Sequence, residues 1–114
     1  MDSNEDVNSR SDRSEPPGLT IRSANLALQQ ARLVGDSPGI FAALVQLAQL
    51  HFRQGRYNQA QMLLAEVRQN APDDSLARCD ALRILGNCAA EMGEPERAEA
   101  IYYQAIDLAR QLDD

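Results

Sequence analysis

Residues 44–67 read "LVQLAQLHFRQGRYNQAQMLLAEV", and 38 residues later residues 82–105 read "LRILGNCAAEMGEPERAEAIYYQA". Laid over one another, the two stretches share Leu47/Leu85, Ala48/Gly86, Gly55/Gly93, Ala60/Ala98, Leu63/Ile101, Leu64/Tyr102 and Val67/Ala105. In both, apolar residues recur at three- and four-residue steps, stop at a glycine, and resume. That is the pattern of two amphipathic helices joined by a tight turn. Gly55 and Gly93 supply the left-handed turn residue at little steric cost. Ala48 and Gly86 are small where the first helix of each pair approaches the second, and Ala60 and Ala98 are the small residues facing them. Tyr57 is left to pack over the first turn.

An earlier half-copy fits the same frame, with Ala24, Leu28 and Ala31 standing 36 residues before Ala60, Leu64 and Val67. Working outward, the spacing predicts five helices: Thr20 to Val34, Ser37 to Gln54, Tyr57 to Asn70, Ser75 to Met92, and a last one opened by Pro95. Thr20 is a capping residue. Gly35 ends the first helix, and "DSP" at Asp36–Pro38 opens the second. "NAPDD" at Asn70–Asp74 is turn chemistry. Short links make neighbouring helices antiparallel. The predicted fold is all-α, and composition agrees. Ala, Leu, Gln, Arg and Glu dominate, while aromatics are 4% of the 114 residues.

The repeated residues resemble the tetratricopeptide repeat family, whose helix–turn–helix units stack into a superhelix. The resemblance covers residues 19–114 as about two and a half units: a half unit at 19–35 and full units at 37–71 and 75–112. It implies antiparallel hairpins stacked as a short right-handed superhelix. The period exceeds the family's usual ~34 residues, with the extra length in the link around "NAPDDSLARCD". This is similar to the longer variant found in arrays attached to bacterial signalling proteins and transcriptional regulators. His51 and Ala89 stand where the family commonly has a large apolar residue, and Pro95 stands where Tyr57 does. A looser second hairpin is therefore expected.

Residues 1–18, "MDSNEDVNSRSDRSEPPG", hold a single aliphatic residue beyond Met1, Val7. Such a segment cannot offset its ordering entropy and reads as a disordered polar tail. The formal charge is −6, from 17 acidic and 11 basic residues. Net acidity argues against a nucleic-acid partner. Every basic residue is Arg; the fork suits carboxylates and phosphates, and the codon usage of a GC-rich genome is the simpler account. No apolar run of about 18 residues is present, so no membrane span is expected. The N-terminus lacks the order of a signal peptide.

Chemistry is sparse. Cys79 and Cys88 share one predicted helix about 13 Å apart along its axis, too far for a disulfide, which needs Cα atoms within about 7 Å. That fits a cytoplasmic location. The lone His51 has no carboxylate at a helical neighbour position and reads as a packed, hydrogen-bonded side chain. Glu94, Glu96 and Glu99 crowd a helix start, where they complement the dipole. No phosphate loop, nucleophile motif, metal-ligand spacing or dinucleotide fingerprint occurs. No catalytic, cofactor or metal site is expected.

Function is then expected in the groove lined by the first helices of each hairpin. Beside the core stripe lie Val45, Gln46, Gln49, Phe52 and Arg53, then Asp80, Arg83, Ile84, Asn87 and Glu91. Among these, Gln46, Gln49, Arg53, Arg83 and Asn87 are the candidate partner-binding set, able to hold a peptide backbone or carboxylate. Arg83 and Asn87 are similar to part of the Lys/Asn clamp of some tetratricopeptide co-chaperones. Tyr103 and Ile106 lie on a second flank of the last helix and are candidates for self-association as a homodimer. The expectation is a non-catalytic adaptor for a protein or peptide partner, with self-association as the alternative.

Overall fold

The computed structural model describes residues 20–113. It contains five helices: α1 (Ile21–Val34), α2 (Ser37–Arg53), α3 (Tyr57–Asn70), α4 (Leu76–Glu91) and α5 (Pro95–Asp113), with no strand among the described residues. The expected tail at residues 1–18 lies outside the described residues.

Local chemistry sets the helix ends. Thr20 caps α1 through a reciprocal box: its Oγ1 accepts from the Ser23 N–H at 3.1 Å, and its own N–H donates to Ser23 Oγ at 2.9 Å. Asp36 caps α2 by accepting from the Gly39 N–H at 3.1 Å, and Ser75 Oγ caps α4 from the Arg78 N–H at 3.2 Å. Each cap satisfies a backbone donor that the helix itself leaves unpaired.

The two hairpin turns are alike atom by atom. In the first, the Gly55 N–H donates to Phe52 O at 3.0 Å and the Arg56 N–H to His51 O at 2.8 Å. In the second, Gly93 donates to Ala90 O at 3.1 Å and Glu94 to Ala89 O at 2.9 Å. Both glycines sit in the left-handed region, at φ 78° and 79°, where a side chain is strained. The internal copy seen in the sequence is thus a copy of geometry.

Each helix packs on the next in sequence, and α2 also touches α4. The main core runs through α2 to α5 and includes Leu44, Ala48, Ala60, Leu64, Leu85, Ala89, Ala98 and Ile101. A smaller cluster of Ala24, Leu47 and Leu50 seats α1 on α2, and Leu28 and Leu63 touch both clusters. The small residues at the close approach are buried: Ala48 and Ala60 are fully covered, and Ala98 is nearly so. Arg32 of α1 forks onto Glu66 of α3 with two N–H···O bonds of 2.9 Å, tying second helices of adjacent units across the stack.

Three expectations need correction. The second hairpin is not the looser one: α4 and α5 make the most extensive contact of any helix pair. Two features contribute: α5 has 19 residues against 14 in α3, and Gly86 admits a close approach. A Cβ there would lie 2.5 Å from Tyr102 Cε1, so the missing side chain lets the Tyr102 ring lie against the helix. Ile84 does not face the groove. It is fully buried, because α4 is packed between neighbours and buries more than one stripe. His51, expected to be packed and hydrogen-bonded, is half-buried, and its Nδ1 is buried with no hydrogen-bond partner. Burial lowers the His51 pKa, with a smaller contribution from the Arg56 charge, so the neutral imidazole is favoured there.

Candidate functional site

The side-by-side α2 and α4 enclose a channel at their N-terminal halves. One cavity of about 230 Å³ is walled by Ala42, Val45 and Gln46 of α2 and by Leu76, Ala77 and Asp80 of α4. A second, of about 400 Å³, adjoins it through the shared Ala42 and Ala77 and extends to Ser37, Pro38, Phe41, Pro72 and Ser75. The lining is mostly apolar, with alanine, proline, Val45, Leu76 and the Phe41 ring, and its polar members are Ser37, Ser75, Gln46 and Asp80. Leu76 stands 68% exposed at the rim. Such a channel accepts an apolar side chain and offers donors and acceptors beside it.

The sequence-predicted groove residues divide by position. Gln46 lines the channel. Arg83 is exposed and lies 3.9 Å from Asp80 on its own helix. Arg53 is exposed near the end of α2. Gln49 is half-buried, and its Oε1 has no hydrogen-bond partner. Asn87 is turned toward α5, where its Oδ1 accepts from the Tyr102 hydroxyl at 2.6 Å. The five therefore do not form a single cluster around one cavity. Pro38, Phe41, Ala42, Leu76, Ala77 and Pro72 were not among the predicted site residues. Their signal was weak: apolar residues in first helical turns, behind the two prolines of the interhelix links.

The thiols are placed without reactive neighbours. Burial raises the Cys88 pKa, against a lowering contribution from Arg97, and Cys79 Sγ donates to Ala105 O at 3.7 Å. Both are free. Among the described residues no group of three or more His, Cys, Asp and Glu side chains converges. None of the described helices is long and apolar enough to cross a membrane.

Tyr103 and Ile106 lie elsewhere, on the open flank of α5. They line a cavity of about 430 Å³ with Ala90, Pro95, Ala98, Glu99 and Tyr102, and are 62% and 45% exposed.

A stack of like helical hairpins with a channel between its first helices defines the class of helical-repeat proteins. A family model, Tetratricopeptide repeat, matches residues 39–111, more than half of the chain, and the chain belongs to that family. No curated protein and no solved structure matches it. Tetratricopeptide repeats generally mediate protein–protein interaction.

Proposed function

We propose that the chain is a non-catalytic adaptor that holds a segment of a partner protein in the α2–α4 channel. The observation that carries this reading is the pair of adjoining cavities, apolar inside and edged by Gln46 and Asp80. A partner segment places an apolar side chain over Ala42 and Ala77. Its backbone is met by Gln46 at the channel edge, and Arg83 and Arg53, farther along α4 and α2, meet a carboxylate that extends past the channel. Shape and a few polar contacts supply affinity, and the preformed helical frame reduces the ordering cost of binding. Two unpaired thiols fit a reducing, cytoplasmic setting.

The test is selection of peptides from a displayed random library on the immobilised chain, followed by titration of the winners. Ala42→Trp fills both cavities and should weaken binding at least tenfold. Arg53→Glu with Arg83→Glu should weaken acidic-ended peptides while helicity is kept. Selected peptides that bind the Ala42→Trp variant as well as the parent would refute the channel as the site.

A further inference from the structure

The open flank of α5 has an internal counterpart. Shifted back by one 38-residue period, Pro95, Ala98, Tyr102 and Ile106 become Tyr57, Ala60, Leu64 and Arg68. In the first hairpin that flank is where α4 stacks: Tyr57 Oη reaches Glu91 of α4 at 3.5 Å, and Arg78 of α4 donates to the Arg68 carbonyl. The same flank of α5 carries an apolar cavity of about 430 Å³ instead of a helix. Its geometry is that of a stacking surface.

The side chains on the flank say what covers it. Glu99, Tyr103, Ile106 and Arg110 follow one another at steps of four, three and four, which keeps them on one narrow stripe of an α-helix. The stripe is about 16 Å long at 1.5 Å per residue. Two apolar residues are at its centre, an acid at one end and a base at the other. It is complementary to itself when reversed. A two-fold axis midway between Gln104 and Ala105 sets Tyr103 against Ile106 of a second copy, and Glu99 against Arg110 of that copy, twice over. Neither Glu99 nor Arg110 makes an ion pair among the described residues. Residues 1–18 are too polar to fill the apolar centre.

We infer that α5 is a homodimerisation helix, pairing antiparallel with α5 of a second copy through Glu99, Tyr103, Ile106 and Arg110. The contact is isologous, so it closes at two copies. This surface is separate from the α2–α4 channel and independent of it. A single helix pair is smaller than a standard stable interface, so the dimer forms reversibly, on the order of 10–100 µM.

Sedimentation equilibrium of the full chain from about 5 µM to 1 mM tests this, over the range that such a small interface requires. The parent should pass from monomer to dimer and no further. Glu99→Arg sets like charges together at both ends of the stripe and should weaken the dimer about tenfold, as should Arg110→Glu. The double variant, Glu99→Arg with Arg110→Glu, should recover affinity to within about threefold of the parent, because the charges are exchanged and not lost. Both positions are exposed, and circular dichroism should show unchanged helicity. A parent that stays monomeric at 1 mM, assemblies that grow beyond two copies, single variants that match the parent, or a double variant as weak as the singles would each overturn the inference.

Discussion

The two hairpins solve one packing problem with different side chains. In the first, Ala48 stands at the close approach and Leu64 fills the space beside it. In the second, Gly86 stands at the approach and Tyr102 fills it, ring against backbone, hydroxyl on Asn87 at 2.6 Å. One carbon removed from the first helix is returned, with interest, on the second. The turns differ likewise. Phe52 and Tyr57 pack their rings 5.4 Å apart, tilted by 54°, where the second hairpin has only Ala90 and Pro95. The comparison teaches that helix spacing is kept by the sum of two positions, since interiors tolerate swaps that conserve volume.

The largest expected effect tests where each hairpin is covered. Leu64 is fully buried in the core shared by α2 to α5, whereas Tyr102 is half-buried and lines the cavity on the open flank. Leu64→Ala should cost about 2–5 kcal/mol in urea unfolding, the usual range for a truncated core leucine. Tyr102→Leu should cost less, about 1–2 kcal/mol, since the replacement keeps much of the buried area. Equal losses would break the distinction between a covered and an open flank.

The turn glycines come next. Beyond the adjoining residues, no atom lies within 4 Å of a Cβ built at Gly55 or Gly93, so backbone strain is what opposes a side chain there. Gly55→Ala and Gly93→Ala should each destabilise by about 1 kcal/mol, and by similar amounts. A large difference between them would show that the turns are not equivalent.

The smallest effect concerns His51, whose counterpart in the second copy is Ala89. Its pKa is lowered from 6.5 in the folded chain. The unfolded chain therefore takes up the proton first as pH falls. The contribution to stability is present above about pH 6.5 and is lost as pH drops through and below that value. His51→Leu should remove that part of the pH dependence between pH 7 and 5. It should also raise stability at pH 7 by about 1 kcal/mol, because a buried ring nitrogen without a partner is replaced by carbon. A parent and variant with parallel pH profiles would show that the imidazole is not held neutral.

Much of the fold was legible because each helix is bounded by a local signal. Thr20, Asp36, Gly55, Ser75 and Gly93 act within a few residues of themselves, and the helix limits fall within a residue or so of those expected. A single apolar stripe was a poorer guide in the middle of the stack. Leu50 and Ile84 are buried because α2 and α4 have neighbours on more than one side, a fact of stacking that no one helix records. The channel was the least legible feature. Its walls meet because the Pro72 link returns the start of α4 beside the start of α2, and that return is a long-range event. Asn87 looked like a groove residue by position, and the reach of Tyr102 from 15 residues away could not be read from spacing alone.

The account rests on paired filling at the close approach, and a double-mutant cycle between positions 86 and 102 tests it most directly. Gly86→Ala alone drives a Cβ into the Tyr102 ring and should destabilise by about 1–3 kcal/mol despite the better helix propensity of alanine. Combined with Tyr102→Leu, which copies the Ala48/Leu64 pair, the same Gly86→Ala change should be close to neutral or stabilising. The account predicts a coupling of at least about 1 kcal/mol between the two sites; strictly additive effects in the cycle would contradict it.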